Sequence, residues 1–433
     1  MKRILITVTA LFFVFQLSAQ QSEAKIRKIT VEEAVSLAAD NNISIKIQKN
    51  KLNTLKRKNN FSWGGVGPSA SLSGGMQIPL EKKGPSDFSY NASISLGLTL
   101  TPALYTSIKD AKLKYESGKT TYEDAVREVE LNVRKLFYKL LNAQETINLA
   151  RRNMETARIR YENNRDKYNR GQLSELALLQ SQLNYESQRP TIESDEITYQ
   201  NSLASFKQAL GIPQDEEIQL EGSLTDAIPG ERISVSQTVE ELPAIKKSKA
   251  TLELQKNSLL AQRFTAYGPS IGVSYSYGMT GNSTAKSFND LTPTGNTIVI
   301  SVSLPLDGYI PWSSRASNIA DLKAGIKELE LQLENERTSA SLTLQNSLKN
   351  IQQKQGQLEL MDRNVELAQK TYDMTLTSYN HGSSDLLTLQ SAADSLLKAK
   401  TDRETFIFNL ISAVLDLENS LGVPFGTLGK KQE

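Results

Sequence analysis

Residues 126–168 read VREVELNVRKLFYKLLNAQETINLARRNMETARIRYENNRDKY, and this stretch decides the fold. Within it Val126, Val129, Val133, Leu136, Leu140, Ala143, Ile147, Ala150, Met154, Ala157, Tyr161 and Tyr168 follow one another mostly in steps of three and four. Such steps hold an apolar seam on one side of a helix over many turns. No proline interrupts the chain back to Ala103, so the helix holds roughly 65 residues and reaches about 100 Å at ~1.5 Å per residue. No compact globular core needs an element that long.

The second half repeats the device, with Leu344, Leu348, Ile351, Leu358, Met361, Val365, Ala368, Tyr372 and Tyr379 on one stripe. Tyr161 and Tyr372, Tyr168 and Tyr379, Gly171 and Gly382, Gly211 and Gly422, and Pro213 and Pro424 are each 211 residues apart. The chain therefore reads as one duplicated unit rather than two or three ordinary domains.

Composition removes several classes of function. The formal net charge is +2, which offers nothing to a nucleic acid. Loss of Lys2 and Arg3 with a leader would bring it to zero. With no cysteine and a single histidine, His381, the chain has no disulfide, no thiolate metal site and no lipid-modified cysteine. Nor can it build a histidine-based triad or a multi-histidine metal centre within one chain. No cofactor is expected.

Residues 1–19 begin with Lys2 and Arg3, run apolar from Ile4 to Leu17 and leave through Leu17-Ser18-Ala19, the pattern of a secretory signal peptide. The apolar run is shorter than the ~20 residues of a spanning helix. A first repeat is expected over 20–213, a crossover over 214–237, a second repeat over 238–424 and a flexible tail over 425–433. Thr30-Val31-Glu32-Glu33 opens a helix with a hydroxyl cap and acidic first turn, and the same letters recur at Thr238-Val239-Glu240-Glu241. Pro243 is expected to break the second helix near its start. Gly67-Pro68-Ser69 and Gly268-Pro269-Ser270 stop both helices.

The period then changes to two. Ala70, Leu72, Met76, Ile78 and Leu80 alternate with Ser71, Ser73, Gly75 and Gln77. After a polar loop, Phe88, Tyr90, Ala92, Ile94, Leu96, Leu98 and Leu100 alternate with Ser89, Asn91, Ser93, Ser95, Gly97 and Thr99. The second copy sets Ile271, Val273, Tyr275, Tyr277 and Met279 against Gly272, Ser274, Ser276 and Gly278. Its return strand sets Ile298, Ile300, Val302, Leu304 and Leu306 against Val299, Ser301, Ser303 and Pro305. Strand pairs are thus expected at 69–80 with 88–101 and at 270–280 with 296–306. Their length and alternation suit transmembrane strands of about 9 to 11 residues; a soluble sheet with one buried face would also alternate. Four strands are too few to close a barrel, since the smallest spanning barrels have about eight, so strands that cross a membrane must be pooled with those of other copies. Ser71, Ser73, Ser93, Ser95, Ser274, Ser276, Ser301 and Ser303 would then face the lumen. The loops Glu81 to Asp87 and Thr280 to Thr294 suit the outer face, and Trp63, Tyr105, Tyr309 and Trp312 lie where an aromatic girdle would sit.

Long hairpins follow over 103–211 and 313–422, entered through Pro102 and Pro311. Each outgoing helix ends in a Tyr-x-x-Gly turn, Tyr168-Asn169-Arg170-Gly171 or Tyr379-Asn380-His381-Gly382, where glycine supplies a left-handed backbone. Returning helices are expected from Ser174 and Ser384, each followed by an acid, Glu175 or Asp385. Pro190 should bend the first of them.

This order of helix, strand pair, long helix, Tyr-x-x-Gly turn, returning helix and Leu-Gly-x-Pro resembles the TolC-type outer membrane efflux proteins over essentially the whole mature chain. Tyr168 to Gln180 and Tyr379 to Gln390 carry the resemblance most specifically. It implies a mainly α-helical chain with a transmembrane β-barrel, trimerising into a 12-stranded barrel continuous with an α-helical barrel. It further implies outer-membrane lipid around the barrel, a periplasmic adaptor (membrane fusion) protein, and an inner-membrane transporter of the RND or ABC type. Adaptor docking and gating would fall to Tyr168, Gly171, Ser174, Glu175, Tyr379, Gly382, Ser384 and Asp385. Many members place a carboxylate and Ala-Gln after the Leu-Leu pair, whereas Gln180-Ser181 and Gln390-Ser391 stand here; an acidic ring at the tip would fall to Glu175 or Asp385. The expected function is a passive exit duct for small molecules or proteins, not an enzyme. The alternative is a secreted coiled-coil spacer or surface protein, for which the heptads alone suffice.

Overall fold

The computed structural model describes residues 27–78, 89–230, 233, 238–282 and 291–428. The signal peptide and the two loops expected at the far end of the strands fall mostly or wholly outside these residues.

A short strand β1 (Arg27–Ile29) leads to α1 (Val31–Asn41), which Thr30 opens with a full capping box, its hydroxyl accepting from Glu33 N and the Glu33 carboxylate accepting from Thr30 N. Asn42 ends α1 and starts α2 (Ile43–Asn60), its side-chain oxygen accepting from Ser44 N while its amide donates to Ala209 O at 2.7 Å. The single opening helix of the sequence reading is therefore two helices, divided by an asparagine that serves as a cap.

Strands β2 (Ser69–Gln77) and β3 (Ser89–Leu100) follow, then α3 (Ala103–Asn169) and the returning α4 (Glu175–Leu210). The crossover contains β4 (Ile218–Leu220), which pairs in parallel with β1. The second half runs α5 (Pro243–Tyr267), β5 (Ser270–Asn282), β6 (Thr292–Ser303), α6 (Ser314–Asn380) and α7 (Leu386–Leu421). Helices α3 and α6 have 67 residues each and α4 and α7 have 36 each, so the duplication is kept residue for residue in the hairpins. At ~1.5 Å per residue the long helices extend about 100 Å.

Several local expectations change. Thr238 does not cap a helix: Val239–Glu241 form a 3-10 turn and α5 starts at Pro243, its first residue. A proline there has no amide to leave unpaired, so it begins the helix rather than breaking it. Glu240, freed from the cap, pairs with Lys249 and with Arg337 Nε at 2.9 Å. Helix α4 runs on through Pro190. Strand β6 starts at Thr292 and stops at Ser303, four residues earlier and three earlier than the alternation suggests. Pro305 has no N–H for a ladder, while Thr292 pairs with Thr280 beyond a register shift at Gly278/Met279. Hence Thr280–Asn282 and Thr292–Thr294 are strand rather than loop.

The core lies where the hairpins cross the β1–β4 pair. Val133, Phe137 and Leu140 of α3 meet Phe206 and Leu210 of α4, Ile407 and Ile411 of α7, and Ile29. Phe137 and Phe206 are fully buried with ring centroids 6.2 Å apart; each such burial contributes about 1.5–3 kcal/mol. A second cluster joins Ile245 and Leu252 of α5 to Ile351 of α6 and Leu410 and Leu417 of α7. The expected tail is docked as far as Leu428: the buried Glu418 carboxylate accepts from Gly426 N, Thr427 N and Leu428 N at 2.8, 2.8 and 2.9 Å. Arg127 and Arg134 both lie over the Phe425 ring.

Candidate functional site: the sheet face and the hairpin tips

The four long strands form one antiparallel sheet in the order β2-β3-β5-β6. Directly paired residues share a face, so the register sorts the side chains. Ser71, Ser95, Ser276 and Thr297 form one row, and Ser73, Ser93, Gly278 and Gly295 the next. Ser69, Gly97, Ser274 and Val299 form a third, and Thr99, Gly272 and Ser301 a fourth, with Ser270 opposite Ser303 beyond it. All eight serines expected together stand on this face. Ser73 and Ser93 are bonded hydroxyl to hydroxyl at 2.8 Å, and Ser270 and Ser303 at 2.6 Å. Val299 is the one apolar intruder.

The other face carries Leu72, Ile94 and Tyr277 in one row, Ala70, Leu96, Tyr275 and Ile298 in the next, then Leu98, Val273 and Ile300, then Leu100, Ile271 and Val302. Leu72 is 79% exposed and Ile300 and Val302 are each 72% exposed. An apolar surface of this extent facing water would be an aggregation liability.

At the opposite end, each long helix closes in the same way. Gly171 N donates to Tyr168 O at 2.8 Å and Gln172 N to Lys167 O at 2.9 Å; Gly382 N donates to Tyr379 O and Ser383 N to Ser378 O. This paired closure needs a left-handed residue, met by Gly171 at φ 70° and Gly382 at φ 76°. Both glycines are open, with nothing within 4 Å of an added Cβ. Ser174 caps α4 by accepting from Ala177 N at 3.3 Å, placing Glu175 in its first turn. The second turn differs from expectation. Asp385, not Ser384, caps α7 by accepting from Thr388 N at 2.7 Å. Hydrogen bonds from Thr388 hold the Asp385 carboxyl below the usual range. A carboxylate is the better cap because it meets the helix's positive end with a full charge.

Residues one or two turns above the turns join the two hairpins. The Tyr379 hydroxyl bonds Asn164 Oδ1 at 3.2 Å, Lys167 Nζ lies 6.0 Å from the Tyr379 ring centre, and Arg160 reaches the Tyr372 hydroxyl at 3.4 Å. Asn164 is buried, and its Nδ2 has no hydrogen-bond partner. Asp394 of α7 is held above the usual carboxylate range by burial, with Arg160 opposing the rise. Tyr168 has no matching partner across the hairpins and is partly exposed. Asn164, Arg160 and Asp394 went unnoticed in the sequence because a single polar letter on a heptad helix looks like any solvated position. His381 caps its own helix end, with Nδ1 2.8 Å from Thr377 O. Among the described residues no cluster of His, Asp or Glu is placed to hold a metal ion, and no helix is long and apolar enough to cross a membrane.

Two long helical hairpins beneath one two-faced antiparallel sheet are the architecture of outer-membrane channel subunits. The Campylobacter jejuni CmeC outer membrane channel superposes with a TM-score of 0.76 at 18% identity, over 93% of this chain and 87% of that one. The outer membrane protein VceC of Vibrio cholerae gives 0.72 at 13% identity, over 91% and 96%. The open state of the Neisseria gonorrhoeae MtrE outer membrane channel gives 0.70 at 17% identity, over 93% and 91%. A search of curated proteins gives no match. The chain belongs to the outer membrane efflux protein family, whose model matches residues 64–212 and 235–423. It is accordingly an outer-membrane channel protein and not an enzyme.

Proposed function

We propose that three copies of this chain pool their strands into a 12-stranded transmembrane barrel, continued by their helical hairpins as a tunnel through the periplasm. The observation that carries this is the two-faced sheet whose outer strands, β2 and β6, each pair on one side only. In lipid an unpaired edge costs several kcal/mol for each unsatisfied backbone group. Joining β6 of one copy to β2 of the next removes every edge, and three four-stranded sheets exceed the roughly eight strands a closed barrel needs. The apolar face then meets lipid, and the serine and glycine face lines a wet, weakly selective lumen.

The duct is passive. Tyr168, Gly171, Ser174 and Glu175 on one turn, and Tyr379, Gly382, Ser384 and Asp385 on the other, form the periplasmic tip, where a periplasmic adaptor protein docks and the aperture opens. Energy comes from an inner-membrane transporter of the RND or ABC class, and the cargo is small molecules or proteins. A secreted coiled-coil spacer has no use for the apolar sheet face. Planar-bilayer recording of the purified protein, alongside its native mass, tests the reading. A trimer that conducts in discrete steps is expected; a soluble, non-conducting rod would refute it.

A further inference from the structure

The helix ends that adjoin the sheet carry a charge imbalance absent from the rest of the chain. In the 14 residues next to each strand end (55–68, 101–114, 256–269 and 304–317) stand nine cations: Lys56, Arg57, Lys58, Lys109, Lys112, Lys114, Lys256, Arg263 and Arg315. Only two carboxylates, Asp110 and Asp307, oppose them, a net of +7 where the whole chain has +2. At the other end of the sheet the connecting sequences 78–88 and 283–291 each balance to zero. Helix α2 is the extreme case, with six cations over Ile43–Asn60 and no acid.

Most of this charge is unneutralised. Lys114 pairs with Asp110 and Arg315 with Asp307. Lys56, Arg57, Lys58, Lys109 and Arg263 form no ion pair among the described residues, and all but the half-buried Lys109 are exposed. Such a concentration repels itself unless an anionic partner covers it.

The aromatic residues say what that partner is. Both tryptophans of the chain lie in the same band, Trp63 at 68% and Trp312 at 87% exposed, with Phe61 beside the last turn of α2 at 75%. Tyr105 and Tyr309 are exposed there too. Tryptophan and tyrosine settle at the boundary between hydrocarbon and headgroups, and an anionic leaflet attracts basic segments lying within a Debye length of its surface. A soluble anion would explain the cations but not the unpartnered rings beside them.

We infer that this band is a receptor for anionic phospholipid: Lys56, Arg57, Lys58 and Arg263 contact the phosphates of the periplasmic leaflet while Phe61, Trp63 and Trp312 seat among its headgroups. The band thereby fixes the depth and orientation of the channel in its membrane. This rests on the strands crossing that membrane.

The test places the full-length protein in nanodiscs of phosphatidylcholine alone, or with one third phosphatidylglycerol, and counts retained lipids by native mass spectrometry. Phosphatidylglycerol should be enriched several-fold over bulk at low salt, and 0.5 M salt should erase most of the excess. The triple variant K56Q/R57Q/K58Q should lower the enrichment at least fivefold, about the factor one cation near such a surface supplies. K327Q/K349Q/K370Q, which removes three exposed cations of α6 outside the band, should leave it unchanged. Equal enrichment for wild type and K56Q/R57Q/K58Q overturns the inference, as does an equal loss in both variants. Insertion into both membranes without lipid preference sinks this inference alone, whereas failure to insert into either sinks the barrel reading with it.

Discussion

The Tyr379 hydroxyl on α6 bonds Asn164 Oδ1 on α3 at 3.2 Å, tying together the lower ends of the two hairpins. Tyr379→Phe removes this bond and leaves a buried carbonyl oxygen unsatisfied, at a cost of about 1–3 kcal/mol. If the tip is the gate, Tyr379→Phe should raise the open probability in bilayer recordings with little change in melting temperature, because the core near Phe137 lies far away along α3. Tyr168→Phe, which breaks no such link, should behave as wild type.

The glycines that end the helices separate folding from docking. Gly171 and Gly382 stand in open space, while an added Cβ at Gly211 would lie 2.8 Å from the Asn41 backbone. Replacing Gly171 and Gly382 with valine adds about 1–2 kcal/mol of left-handed strain at each and places bulk where the adaptor sits. The trimer should survive and export by intact cells should fail. Gly211→Ala should instead lower the melting temperature by several degrees; export surviving the double valine change would remove the turns from the docking surface.

Much of this architecture was legible because its signals are periodic. The heptad seam from Val126 to Tyr168 and the offset of 211 residues specify the hairpins, and period-two alternation places the serines of the sheet on one side. What stayed hidden was set by individual contacts. Asn42 divides the opening helix because its amide finds Ala209 O across the fold. The β1–β4 pair consists of three-residue strands joined over nearly 190 residues of chain, and three residues carry no readable period. The cap of α7 passed from Ser384 to Asp385 because the two turns differ by one residue. The links through Arg160 and Asn164 depend on how one hairpin lies against the other, which neither hairpin's own sequence states.

Glu418 predicts the behaviour of the C-terminal segment. Its carboxylate is fully buried and accepts three backbone N–H groups from Gly426, Thr427 and Leu428. Glu418→Ala strands all three donors and should destabilise the fold by about 3–5 kcal/mol, the range for breaking a buried charged arrangement. Limited proteolysis should then cleave after Pro424 at a protease concentration that leaves wild type intact. Unchanged protection would mean that Phe425, under Arg127 and Arg134, holds the segment unaided.

Two aspartates near the tip should respond to pH in opposite senses. Asp385 titrates below its ordinary value because Thr388 bonds its charged form. Its contribution is therefore present at neutral pH and is lost as pH falls through the lowered folded-state value. Asp394 titrates above its ordinary value of 3.8 because burial disfavours its charge. Its folded state favours the proton, so its contribution is complete below about 3.8 and is lost as pH rises through the raised value. Asp385→Asn should consequently destabilise the protein at pH 7, with the gap to wild type closing as the medium is made acid. Asp394→Asn should be neutral to stabilising at pH 7 and indistinguishable from wild type at pH 3. Thermal unfolding of both variants from pH 3 to 8 decides the matter. A destabilising Asp394→Asn at neutral pH would show that the charge on Asp394 is held there by Arg160, making that pair a tie between α3 and α7 as firm as the one from Tyr379 to Asn164.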